Sequence, residues 1–213
     1  AQSPAYLYVY NLTDPGSPAD LSAGGITLSG SPYDFQIESW VQFVPIPPKG
    51  HRMAFVAEGS AGAEVIDVTN PASPSKKFIA PPAGRSFFGV ATGSSPFSLS
   101  APDTIYLSDQ YQIYVYDNDA TPSLVTSFPT LGYPMGLKVI DGYLVAANGA
   151  SGLDYYDLSE PLAPVRVGYA DLPGYTNFLA PGGDMQVMAI DFRYGIQIVA
   201  LAPHSVYLPA LRR

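Results

Sequence analysis

Apolar positions along this chain fall in short runs, and five of these runs end alike, on an anchor position followed by a polar turn with one or two prolines. The copies span 6–18, 64–74, 113–122, 153–164 and, in degenerate form, 196–203. Aligned on Asn11, Asp67, Asp117, Asp157 and Ala200, they recur every 40 to 56 residues. That is the period of a four-stranded propeller blade with variable loops. The anchor carboxylates predict strand ends, because a short Asp side chain accepts backbone N–H groups as the ladder stops. Pro71, Pro122 and Pro161 have no N–H to donate and end the pairing.

Between the anchors the pattern divides into further strands. Outer strands are predicted at Lys77–Ala80 and Leu124–Phe128. After a glycine corner, such as Gly132-Tyr133 or Gly174-Tyr175, come inner strands at Phe88–Ala91, Gly136–Ile140 and Thr176–Leu179. Middle strands follow at Met53–Ala57, Thr104–Leu107, Tyr143–Ala147 and Met185–Ala189. Asp141-Gly142 predicts a type I′ hairpin. The fold expected is all-β: one domain over 1–213, a small β-propeller of four to five blades, each of about four antiparallel strands.

The run from Gly152 to Val165, and more loosely from Gly62 to Pro74, resembles the LVIVD repeat of bacterial surface and secreted proteins. The pattern is Gly, a small residue, an apolar strand, Asp, a Ser or Thr turn and two prolines. The resemblance covers nearly the whole chain in short copies. It implies a propeller and an extracellular setting, and carries over no catalytic residue. Val206 to Arg213 is similar to the Tyr-Leu-Pro tails of exported envelope proteins.

Composition narrows the classes. The chain has 22 Pro, 20 Gly and 16 Tyr, which suits short strands and tight turns more than helices. Only 13% of residues are charged, about half the usual share. The net charge of -8 argues against nucleic acid, which needs clustered Lys and Arg, and against anionic lipid. There is no Cys, which removes disulfides and thiolate chemistry. No apolar run is long enough for a membrane-spanning helix, so no membrane insertion is expected. The start at Ala-Gln-Ser-Pro reads as a mature N-terminus after signal cleavage, predicting an extracellular or cell-surface protein.

The repeat count leaves half a blade over at the N-terminus. A strand at Tyr6–Leu12 is expected to complete the last blade beside Met185–Phe192 and Ile196–Leu201, or else to join a neighbouring molecule. Tyr6, Tyr8 and Tyr10 at one end and Val206, Tyr207 and Leu208 at the other are the candidate assembly strands.

Candidate chemistry is sparse. His51 and His204 have no ligand-spaced neighbours and read as loop histidines. Asp34, Glu38, Asp109, Asp184 and Asp191 could lie on a propeller face, where a hydrolase would need two opposed carboxylates. Asp117-Asn118-Asp119 has some calcium-loop character but lacks the glycine and distal Glu, so a capped turn is the expectation. Asn11-Leu12-Thr13 is a glycosylation sequon. Trp40, Tyr111, Tyr133, Tyr175 and Tyr194 are rings that could stack on sugars. No catalytic, cofactor or metal site is expected. The reading is a non-catalytic structural protein that self-assembles into a filament, sheath or surface layer. A monomeric binding module for a glycan or surface protein is the alternative, and an enzyme the third.

Overall fold

A computed structural model describes residues 4–42, 48–93, 101–183, 185–191 and 193–201. Every regular element among them is a β-strand, so no described helix is long and apolar enough to cross a membrane. Two short pairs come first: β1 (Tyr6–Leu7), β2 (Tyr10–Asn11), β3 (Ala19–Asp20) and β4 (Ile26–Thr27), with β1 on β4 and β2 on β3. Blade one is β5 (Asp34–Gln42), β6 (Lys49–Ala57), β7 (Ala63–Asp67) and β8 (Ser75–Ile79). Blade two is β9 (Gly89–Gly93), β10 (Thr104–Ser108), β11 (Gln112–Asp117) and β12 (Leu124–Pro129). Blade three is β13 (Gly136–Ile140), β14 (Tyr143–Ala147), β15 (Leu153–Asp157) and β16 (Val165–Ala170). Blade four is β17 (Thr176–Gly183), β18 (Gln186–Asp191) and β19 (Gly195–Ala200). Each blade is an antiparallel meander from inner to outer strand. The chain is a four-bladed β-propeller, within the expected range.

The predicted turn chemistry is present. Asp67 Oδ1 accepts the Thr69 N–H at 2.8 Å and Asp157 Oδ1 that of Ser159 at 2.6 Å. Asp117 Oδ1 reaches further, to Ser123 N–H at 2.9 Å. Hydrogen bonds from the Ser159 and Ser123 side chains hold the Asp157 and Asp117 carboxyls below the ordinary range. Ile140 and Tyr143 pair across Asp141-Gly142, whose φ angles are 49° and 81°, as a type I′ turn requires.

Three apolar cores lie between successive blades. Phe55, Val65, Phe87, Ile105 and Leu107 join blades one and two. Tyr106, Val115, Leu144 and Tyr156 join two and three. Val145, Leu153, Val187 and Leu201 join three and four. Polar staples reinforce them: the Tyr106 hydroxyl donates to the Pro161 carbonyl of blade three at 2.7 Å. The Met185 N–H donates to Asp141 Oδ2 at 2.6 Å, tying blade four to the blade-three hairpin.

The N-terminal expectation is corrected. Residues Tyr6–Leu12 do not complete blade four, and the first repeat copy is not a blade strand. Ala5, Leu7 and Val9 fold back with Ile26 and Leu28 over Ala54, Val56, Ile66 and Val68 of blade one. The reason is that blade one has an apolar face with no preceding blade to cover it, and the nearest chain in sequence does so at the smallest loop-closure cost. Asn11 keeps the turn chemistry of the anchors, accepting the Thr13 N–H at 2.9 Å, which is why the segment scans as a repeat. Blade four has three strands among the described residues. The inner strands pack in the order β5, β9, β13, β17, and no comparable packing among the described residues returns β17 to β5.

Candidate functional site

The two kinds of loop at one end of the propeller carry five exposed tyrosines. The middle-to-anchor hairpins and the loops entering each inner strand share this end, because inner strands leave it and middle strands return to it. Tyr33, Tyr133 and Tyr175 stand on the entry loops, and Tyr111 and Tyr194 on the hairpins; all are exposed. Tyr111 and Tyr133 meet edge to face at 6.2 Å. The Arg85 guanidinium lies 5.2 Å from the Tyr111 ring centre.

Beneath them a polar residue ends each middle strand: Glu58, Asp109, Asn148 and Asp191, all buried. Each ties its own hairpin or a neighbouring loop. Asp109 accepts the Tyr111 and Gln112 N–H groups and the Tyr114 hydroxyl, and pairs with Arg85 at 3.2 Å. Burial pushes the Asp191 carboxyl up, but N–H donors from Tyr194, Tyr175 and Arg193 outweigh it and hold it low. Asn148 donates to Asp154, which also receives two bonds from Arg166 at 2.9 and 2.7 Å. Glu58 accepts the Gly30 N–H at 2.7 Å through Oε2, while its buried Oε1 has no partner among the described residues. Burial, with Glu64 nearby, raises its carboxyl to about 7. Sequence reading singled out Asp109 and Asp191 but not Glu58 or Asn148. The signal that would have found them is their shared position, directly after each middle strand.

The other candidate acids lie apart. Asp34 Oδ2 accepts the Val90 N–H at 3.0 Å, and burial raises its carboxyl. Glu38 Oε1 accepts from Thr92 Oγ1 at 2.6 Å and Gln36 Nε2 at 3.0 Å. Gln36 in turn accepts from Lys138 of blade three, across the centre of the molecule. Asp184 and His204 lie outside the described residues. His51 stacks on Trp40, ring centres 5.3 Å apart and 11° from parallel, rather than standing free in a loop. At Asp117-Asn118-Asp119 the cation is a lysine: Lys77 Nζ donates to the Asn118 carbonyl at 3.1 Å and that of Asp119 at 2.8 Å. Among the described residues no cluster of three His, Asp or Glu is placed to hold a metal ion. In the sequon, Asn11 Oδ1 accepts from the Thr13 hydroxyl at 2.6 Å.

The assembly candidates divide. Tyr6, Tyr8 and Tyr10 form an exposed ladder, ring centres 6.1 and 6.2 Å apart, on the outer side of the N-terminal segment. Val206, Tyr207 and Leu208 lie outside the described residues. Blade four supplies a surface that sequence reading missed. On its far side Phe178 is exposed, with Ile196 and Ile198 at 65% and 64%, and β19 is the sheet's edge.

No family model matches the chain. It is similar over 130 residues, at 29% identity, to ORF1334 of Acidianus two-tailed virus, named only provisionally as a transmembrane protein; the match covers 58% of this chain and 9% of that one. Among solved structures it is similar to BBS1N, crystallised in complex with ARL6DN. The TM-scores are 0.59 and 0.58 at 13% and 14% identity, over 86% and 94% of this chain. The chain spans 55% and 61% of those chains, less than two thirds of their length. A glutaminyl cyclase from Myxococcus xanthus matches at a TM-score of 0.42 and 15% identity, over 66% of this chain and 58% of that one. The likeness to BBS1N bears on the fold alone: it is that of a β-propeller.

Proposed function

We propose that this chain is a non-catalytic, extracellular propeller that works by assembling with copies of itself. The observation that carries this is the open far face of blade four. In blades one to three the equivalent face is buried by the next blade, whereas here Ile196 and Ile198 are exposed on β19, which is an edge strand among the described residues. Apolar faces and free edges of this kind attract further chain. At the other end of the blade series the tyrosine ladder offers a different surface. Joining one to the other is a heterologous contact, which propagates into filaments or closes into rings. The LVIVD resemblance supports an extracellular sheath or surface layer.

Light scattering and negative-stain imaging over a range of concentrations test this. Oligomers or filaments are expected, and Ile196→Lys with Ile198→Lys should reduce them to monomer with an unchanged circular dichroism spectrum. A wild-type monomer of about 23 kDa at every concentration would overturn the proposal.

A second reading, a binding module for a glycan or a surface protein, is favoured by one observation: five exposed tyrosines share one end of the propeller. Rings exposed on loops over a rigid scaffold suit such recognition.

A further inference from the structure

We infer that the end of blade one opposite the tyrosine-bearing loops holds a binding site for a small organic carboxylate with an apolar body, and that Arg52 receives the carboxylate. Three observations converge there. First, β5 and β6 are longer than the corresponding strands of blades two and three, and their surplus residues wall a cleft of about 400 Å³. Its apolar wall is Leu21, Val41, Val68 and Pro71, with Trp40 and His51 also at its border. This volume falls in the range of small-molecule sites.

Second, the cleft is positive within an acidic protein. Arg52 lines it and no Asp or Glu does, although the chain carries 18 acidic residues against 10 Lys and Arg. The other cations near the blades are engaged. Lys76 pairs with Glu64, Arg85 with Asp109 and Arg166 with Asp154. Lys77 and Lys138 are held by turn carbonyls and Gln36, and Arg193 lies over Tyr194. The Arg52 guanidinium has no ion pair or hydrogen bond among the described residues, while its backbone is fixed: its N–H donates to Thr69 Oγ1 at 3.0 Å and its carbonyl accepts from Val68 at 2.9 Å.

Third, the combination selects one ligand class. A lone guanidinium presents a planar fork that matches one carboxylate. Apolar walls reward an apolar body and penalise burial of further charge, which disfavours phosphates and multiply charged acids. Lys49, three residues before Arg52 on β6, adds charge nearby but is not among the residues that line the cleft.

Trp40 is the only tryptophan in the chain, so its fluorescence reports on the cleft directly. The protein is titrated with phenylacetate, with its neutral counterpart 2-phenylethanol, and with inorganic phosphate. A saturable change with phenylacetate is expected, about tenfold weaker with 2-phenylethanol and absent with phosphate. Arg52→Gln should weaken phenylacetate binding about tenfold, and Lys49→Gln should change it less than about twofold. No saturable response, an equal response to the alcohol or to phosphate, or equal losses in the two variants would each overturn the assignment. Native circular dichroism of the exposed-site variants separates binding from folding.

Discussion

At the scale of single residues, the buried polar groups at the loop-rich end have the largest consequences. Asp154 is fully buried and accepts from Arg166, Asn148 and the Leu131 N–H, so its charge is satisfied. Glu58 is not: at 2% exposure it receives one N–H and faces Glu64. Its folded-state carboxyl, at about 7, lies above the ordinary value of 4.5. A raised acid binds its proton more tightly in the folded state, so folding loses stability as pH rises from 4.5 to about 7, and the loss is complete above that. Glu58→Gln keeps an acceptor for Gly30 and removes the charge. The variant should match wild type near pH 4 and exceed it by about 1–3 kcal/mol at pH 8. Urea denaturation at both pH values checks this; a variant that is less stable at pH 8 would show that the ionised form makes a needed contact.

At the scale of elements, the repeat has a mechanical explanation. Gly62 and Gly152, which open the two best repeat copies, stand at equivalent hairpin positions with φ of 111° and 72°. A Cβ at Gly62 would lie 2.4 Å from the Ile79 carbonyl oxygen, and at Gly152 2.1 Å from that of Ala170. The hairpin is thus pressed against the outer strand of its own blade, and only glycine allows both the approach and the left-handed turn. Gly152→Ala should cost about 2–3 kcal/mol, read as a lowered urea midpoint. The same substitution at Gly84, which also has positive φ but open space around it, should cost less, about 1 kcal/mol. The bulge recurs in the same way: β11 and β15 both slip register beside the tyrosine that precedes the anchor Asp.

At the scale of the whole molecule, the question is which face the N-terminal segment covers. Ile26 is buried against blade one, whereas Ile196 on blade four is exposed. Ile26→Ala should therefore cost about 2–4 kcal/mol and Ile196→Ala less than about 0.5 kcal/mol, compared by denaturation at concentrations too low for assembly. Large losses at both positions would mean that chain of the same molecule seals blade four in solution. Among the described residues the blades pack in series, with the N-terminal segment over the first face and Ile196 exposed on the last.

Much of this was legible in the sequence because it is local. Strand alternation, the Asp-containing turns, the Asp141-Gly142 hairpin and the repeat period depend on residues a few positions apart, so four of the five anchors fell on blade strands as read, while Asn11 lies in the short strand β2. Tertiary structure decided the rest, since it depends on which surfaces need covering. Residues 5–28 carry a repeat-like turn, yet they pack on blade one because its face is apolar and close along the chain. Asp117-Asn118-Asp119 could be read as a cation site, but only the approach of blade one shows that Lys77 fills it. Glu58 and Arg52 are unremarkable in sequence; among the described residues, burial of Oε1 without a partner distinguishes the first, and freedom from any carboxylate the second. Local chemistry wrote the blades, and the balance of exposed and covered faces determined where the N-terminal segment packs.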